Sequence, residues 1–255
     1  MNPLVLAWQD AIDSFSRTVA LIPDGDFARP SLLPGWTVGD IVAHTAALEA
    51  ELAGRPVPAH EPDWEALPHA ADPFSRYTEV GVDLRRGWPP AQIRAELAEV
   101  VALRSQQLAD ARDDEMVAGV GGRQRRLDDQ LRMRCFDIVV HDIDLRDALG
   151  WPEPTLGEGA RVCLEQMTSA LGYVWVKKAG AVAGQVLHFV VPGWTDVWIE
   201  VGADGRGQVG SPGAADVEVA LPVMAYLRLG SGRQGAVAGD PQLALRLMSG
   251  LNVAP

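Results

Sequence analysis

Lysine is almost missing from this chain. Of its 22 basic residues only Lys177 and Lys178 are lysines, against 34 acidic residues, for a formal net charge of −12. That balance speaks against nucleic-acid binding and against a polybasic membrane contact, since both need clustered positive charge facing phosphate. The arginine bias fits codon composition as well as selection for forked carboxylate contacts. Cysteine is nearly absent too. Cys135 and Cys163 both lie in helix-like patterns, so free thiols are expected rather than a structural disulfide. No apolar run reaches the roughly 18 residues a membrane helix needs. The first ten residues carry neither a basic start nor an apolar core before a small-residue cleavage site, so a cytoplasmic protein is expected. Solenoid repeats and low-complexity tracts are missing as well.

What is present reads first as helices. Leu4, Leu6, Trp8, Ile12, Phe15, Val19 and Leu21 recur at helical spacing up to Pro23. After a loop with Pro30, Pro34 and Gly35, Thr37 and Asp40 have the spacing of a capping box, predicting a second helix to about Ala53. Residues 54–90 are rich in Pro, Asp and His and read as a long surface connection with a short helix around Ser75 to Leu84. A third long helix is predicted from Ala91 to Ala111 and a fourth from Gln124 to Leu149, stopped by Gly150 and Pro152. Four helices with one long crossover fit a four-helix bundle over residues 1–150. Composition then shifts. A helix from about Leu156 to Lys178 precedes strand-like runs at Gln185 to Val191, Asp196 to Val201, Gly207 to Gly210 and Asp216 to Leu221. Short helices at Pro222 to Leu229 and Pro241 to Ser249 follow, so residues 151–255 read as a smaller α+β domain.

One constellation carries chemistry. Asp137 and His141 are four residues apart on the fourth helix and share a face, with Asp144 three residues further. Phe136, Val139, Val140 and Ile143 surround them with apolar surface, where polar groups are costly unless partnered. His44, seven residues after the Thr37 cap, is the histidine placed inside an early bundle helix. Two histidines and a carboxylate leave open coordination positions, as catalytic metal sites do. The same spacing also suits a hydrogen-bonded core histidine, because an acid four residues before a histidine is common on helices. A third arrangement holds no metal and pairs Asp137 with Arg134 or a neighbouring helix. His60 and His69 fall in the connection and read as solvated. His188 reads as structural, and Cys135 as a buried, inert thiol.

The stretch Leu33-Pro-Gly-Trp-Thr-Val-Gly-Asp-Ile-Val-Ala-His44 resembles the signature of the mycothiol-dependent maleylpyruvate isomerase family, within the DinB-like metal-binding bundles. Arg134-Cys-Phe-Asp137-Ile-Val-Val-His141-Asp-Ile-Asp144-Leu-Arg146 resembles its second block. The resemblance implies a DinB-like bundle followed by a sterol-carrier-like domain, to whose end Gly232-Arg233 and Gly239-Asp240-Pro241 are similar. It implies a divalent metal, zinc in most relatives, on His44, Asp137 and His141, with mycothiol as thiol cosubstrate. The family's isomerase has glutamate where this chain has Asp137, one methylene shorter. The implied reaction is thiolate addition to a small electrophile such as a cis-alkene dicarbonyl, by an isomerase or a mycothiol S-transferase. A non-catalytic binder of metal and an apolar ligand is the alternative, and a monomer or homodimer is expected. Substrate carboxylates would need arginine forks. Arg76, Arg85, Arg86, Arg228 and Arg233 are available, and Arg76 and Arg233 are expected to line a cleft between domains.

Overall fold

The computed structural model describes residues 2–112, 115–233 and 250. The last expected helix, Pro241 to Ser249, and the Gly239-Asp240-Pro241 stretch lie outside the described residues. The chain divides into two compact units, Met1–Ala160 and Arg161–Pro255. The division falls ten residues beyond the expected 150. Residues 157–160 belong with the first unit because the Gly159 N–H donates to Asp10 Oδ2 at 3.0 Å, and Gly159 sits so close to Ala7 and Ala11 that a side chain would not fit.

In the first unit, α1 (Pro3–Leu21) starts where Asn2 Oδ1 accepts from the Leu4 N–H and Pro3 takes a position that needs no donor. Its buried stripe is Leu4, Trp8, Ala11, Ile12, Phe15 and Val19. Helix α2 (Val38–Leu52) opens on the expected capping box, with Thr37 Oγ1 accepting from the Asp40 N–H and Asp40 Oδ2 accepting from the Thr37 N–H. Nearly every residue of α2 is buried, so this helix runs through the middle of the unit. Helix α3 (Pro73–Asp83) fills the expected short-helix position in the connection, and α4 (Pro90–Leu108) begins at a proline, one residue before its expected start. Helix α5 (Leu127–Leu149) ends at Gly150, whose φ of 69° only glycine adopts without strain, while the Trp151 N–H closes on the Arg146 carbonyl. Helix α1 packs on α5, and α2 packs on α3 and α4.

The fourth helix does not begin at Gln124. Gln124–Arg126 forms a short strand, β2, antiparallel to β1 (Met116–Ala118). Gly121 and Gly122, both at positive φ, turn the chain between the two strands, which commits the backbone groups of residues 124–126 to a hairpin. Only after it does the helical ladder begin.

In the second unit the single helix expected from Leu156 to Lys178 is broken. Helix α6 (Glu158–Ser169) stops at Ala170, and a short turn α7 (Leu171–Tyr173) leads into a wide turn at Val174–Lys178. Close packing accounts for the break. Gly172 lies against Gly207 so tightly that a Cβ on Gly172 would fall 2.4 Å from the Gly207 carbonyl oxygen. The strands β3 (Val186–Val191), β4 (Thr195–Val201), β5 (Gly207–Val209) and β6 (Val217–Ala220) form a sheet in the order β5-β4-β3-β6. Neighbours are antiparallel except β3 and β6, which run parallel. One face buries Leu187, Phe189, Val191, Ile199, Val201, Val217 and Val219. On β3 the alternation is strict, Leu187, Phe189 and Val191 turning inward between His188 and Val190. Helix α8 (Val223–Gly230) follows, burying Met224, Tyr226 and Leu227. Among the described residues no helix is long and apolar enough to cross a membrane. Cys135 and Cys163 are both buried, and neither is in a disulfide.

Candidate metal centre

The packing of α2 against α5 brings the three expected ligands to one place. His44 lies two turns into α2, while Asp137 and His141 lie one turn apart on α5. One ligand atom from each of His44, Asp137 and His141 lies within 4.8 Å of the others. His44 Nε2 is 3.5 Å from Asp137 Oδ2, and His141 Nε2 is 3.5 Å from Asp137 Oδ1. The histidine side chains are 6% and 9% exposed and that of Asp137 is 25% exposed, so the carboxylate marks the open side of the cluster.

The partners of the two histidines differ. His141 Nδ1 is 2.9 Å from Asp144 Oδ2. An ionised carboxylate can only accept, so Nδ1 carries a proton and Nε2 is the nitrogen turned toward the cluster. His44 has no such support. Both of its ring nitrogens are buried and neither makes a hydrogen bond. A buried imidazole that makes no hydrogen bond, with only the Asp137 carboxylate 3.5 Å from its Nε2, is costly, and a divalent ion accepting the lone pair of one nitrogen would relieve part of that cost. The donor set of two nitrogens and one oxygen also suits zinc or a similar borderline cation. On these grounds the residues present fit a metal.

The titration of the cluster follows from burial and charge. Burial pushes the His44 pKa down, against the opposing pull of Asp137. For His141 burial also favours the neutral ring, but Asp137 and Asp144 overcome it and hold the pKa at about 9. Burial would raise the Asp137 pKa, yet Arg134 above all, then His141 and His44, keep it well below the usual carboxylate range.

Two sets of residues frame the cluster. Trp36, just before the cap of α2, places its ring 5.0 Å from that of His44 and 6.1 Å from that of His141. Its indole Nε1 donates to Glu79 Oε2 at 2.8 Å, and the buried Glu79 also takes His69 Nε2 at 3.1 Å and the Arg86 guanidinium. On the other side Arg134 donates from Nη1 to Asp137 Oδ2 at 2.7 Å and from Nε to Glu49 Oε1 at 2.9 Å. Arg104 Nε approaches the same Glu49 carboxylate at 3.6 Å, and Trp8 Nε1 donates to it at 3.4 Å.

The structure corrects some sequence expectations here. His69 is not solvated, because it bonds Glu79 and rests against Gly35, and His60 Nε2 meets Asp83 Oδ2 at 2.7 Å. Arg76 is exposed on α3, donating to the Ala70 carbonyl at 3.2 Å and lying over the Trp64 ring. Arg85 forks onto Glu96. Arg233 follows α8 in the second unit and donates to the Ser231 carbonyl. None of these hydrogen bonds involves the cluster. Cys135 is buried, its thiol pushed up to about 12 by burial, as expected for an inert group. Trp36, Glu49 and Glu79 had no role assigned from sequence. The i,i+3 spacing of Arg134 and Asp137 was legible, whereas the reach of Glu49 and Glu79 across helices had no local signal.

Comparison with known proteins follows the same line. No curated protein matches the chain in sequence. A crystal structure of the mycothiol-dependent maleylpyruvate isomerase is similar over 93% of this chain and 92% of its own, at TM-score 0.58 and 19% identity. A histidine-to-alanine mutant of that isomerase is similar over 94% and 97%, at TM-score 0.59 and 20% identity. At that identity the likeness speaks for the fold, a helical unit followed by a smaller sheet-containing one. A family profile described as the mycothiol maleylpyruvate isomerase N-terminal domain matches residues 8–146, more than half of the chain and inclusive of all three residues of the cluster. The chain therefore belongs to the mycothiol maleylpyruvate isomerase N-terminal domain family, a family named for an enzyme.

Proposed function

We propose that the first unit is the metal-binding part of a mycothiol-using enzyme, in which His44, Asp137 and His141 hold a divalent ion, zinc by donor preference. The observation that carries this reading is the convergence of three ligand atoms within 4.8 Å around a buried His44 with no hydrogen bond of its own. A divalent ion held there supplies Lewis acidity, which makes the thiolate of a coordinated thiol the favoured form near neutral pH.

The chain's own residues do the rest. Asp144 fixes the His141 tautomer, and Arg134 keeps Asp137 ionised. Trp36 sets its indole tilted beside the two imidazoles, which limits water around the reacting thiol. Mycothiol thiolate adding to a cis-alkene conjugated to a carbonyl moves the alkene pair into an enolate and leaves a rotatable single bond. Collapse of the enolate expels the thiolate and returns the trans isomer. If the adduct is instead protonated and released, the same activation makes an S-transferase. Arg76 and Arg233 are proposed as contacts for substrate carboxylates, which charge-removing variants test through KM. The second unit is proposed as a sterol-carrier-like domain on the strand and helix order already described.

A second reading has one specific observation behind it, the 2.7 Å bond from Arg134 to Asp137, which by itself could neutralise the carboxylate without a metal. Elemental analysis of untagged protein beside His44→Ala separates the two. One equivalent of metal in the wild type and a loss in the variant is the expected result. Equal content in both would overturn the ligand assignment. Incubation with mycothiol and a cis-alkene dicarbonyl, followed by product analysis, then tells isomer from conjugate.

A further inference from the structure

The three ligands are not equally supported, and the difference falls on Asp137. Aspartate is a short ligand on a helix, and its carboxylate has to stand 3.5 Å from an imidazole nitrogen on each side. Rotation about its own side chain could take it out toward the solvent to which it is a quarter exposed. Arg134 prevents that. Its side chain is 1% exposed and its guanidinium is held by two carboxylates at once, Glu49 at 2.9 Å through Nε and Asp137 at 2.7 Å through Nη1. Glu49 is fully buried and fixed in turn by Trp8 and Arg104, and Arg104 also donates to the Leu52 carbonyl and Gln130 Oε1. Because the guanidinium is planar, fixing Nε on Glu49 also fixes the direction in which Nη1 presents its hydrogen.

We infer that Arg134 is a positioning residue of the metal centre, which, anchored by Glu49, holds the Asp137 carboxylate at its ligand position. The inference rests on the metal-binding reading above. The bond takes Oδ2, leaving Oδ1, the atom nearer His141, free of the guanidinium. Arg134 also withdraws charge from the carboxylate, so the ion keeps more of its own. The role needs the fork geometry and not positive charge alone. A lysine ammonium in its place keeps the charge beside Glu49 but lacks the planar pair of donors set at a fixed angle.

The test uses Zn2+ and Co2+ alone, on the full chain, with wild type, Arg134→Lys and the double variant E49Q/R134M, which removes the Glu49–Arg134 pair together and leaves Arg104 its bonds to the Leu52 carbonyl and Gln130. Zinc affinity is measured by chelator competition, and the visible spectrum of the Co2+ form reports the ligand set. Far-UV circular dichroism shows which variants fold. A folded variant should bind zinc about 10- to 100-fold more weakly than wild type, the usual range for losing a residue that orients a metal ligand. Its Co2+ spectrum should change, which a merely structural role would not produce. If R134K fails to fold, the double variant decides, because it leaves no unpaired Glu49 charge. Affinity within two-fold of wild type with an unchanged Co2+ spectrum in a folded variant would overturn the positioning role while leaving the metal site standing. A wild type that binds neither ion would overturn the site and this inference with it, so the two failures are distinguishable. If neither variant folds, Arg134 is a packing residue and the inference fails.

Discussion

Zinc binding should depend on pH in a manner set by the two histidines. In the metal-free protein His141 is held at about 9 by Asp137 and Asp144, so at pH 7 its ring is almost wholly protonated. Coordination through Nε2 must displace that proton. Two pH units of competition, at about 1.4 kcal/mol each, weaken the apparent affinity at pH 7 about 100-fold below its high-pH limit. Between pH 7 and 9 the affinity should therefore rise about tenfold per unit, then level off. His44, its pKa below the ordinary value of 6.5, is already neutral in that range and adds a second proton only at lower pH, where the slope steepens. Titration calorimetry of zinc into metal-free protein at pH 7.5, in two buffers of different ionisation enthalpy, counts the protons directly. About one proton released is expected. Asp144→Asn keeps an acceptor for Nδ1 but removes its charge, so the level part of the profile should begin at lower pH. A release near zero at pH 7.5, or an affinity flat from pH 7 to 9, would refute the charge argument for His141.

The same cluster ties the stability of the metal-free protein to pH: the raised His141 pKa contributes stability that is full below 6.5 and lost as the pH rises through about 9, so urea midpoints should fall over that window. Asp142, buried on α5, accepts from Ser14 at 2.7 Å, Thr18 at 2.6 Å and Arg146 at 3.2 Å, and so joins α5 to α1. Asp142→Ala should cost about 3 kcal/mol in urea unfolding by stranding those donors; a loss under 1 kcal/mol would show that water replaces the carboxylate. Gly172→Ala should destabilise the second unit by about 1–3 kcal/mol through its clash with the Gly207 carbonyl, read as a lower thermal midpoint. An unchanged midpoint would mean that α7 moves away from β5 freely.

Local signals made much of the helical unit legible. Periodic apolar residues located α1 and α4, Thr37 with Asp40 located the start of α2, and Gly150 the end of α5. Each rests on contacts within a few residues of the chain, so the sequence alone states them. The hairpin at residues 116–126 was hidden because its helix-compatible residues are recruited by a glycine turn and a partner strand. The break at Ala170 was hidden because its cause, the approach of Gly207 to Gly172, joins residues 35 positions apart. The site divides in the same manner. The Asp137-His141 pair, with Asp144 three residues on, follows from the helical repeat, and the resemblance of two sequence blocks added His44. Only the packing of α2 against α5 could show that the three ligand atoms meet within 4.8 Å and that His44 has no hydrogen bond of its own. Packing alone, again, joins Glu49 to Arg134 and Glu79 to Trp36, since hydrogen bonds between groups on different elements depend on how those elements pack, and no local pattern of residues encodes that.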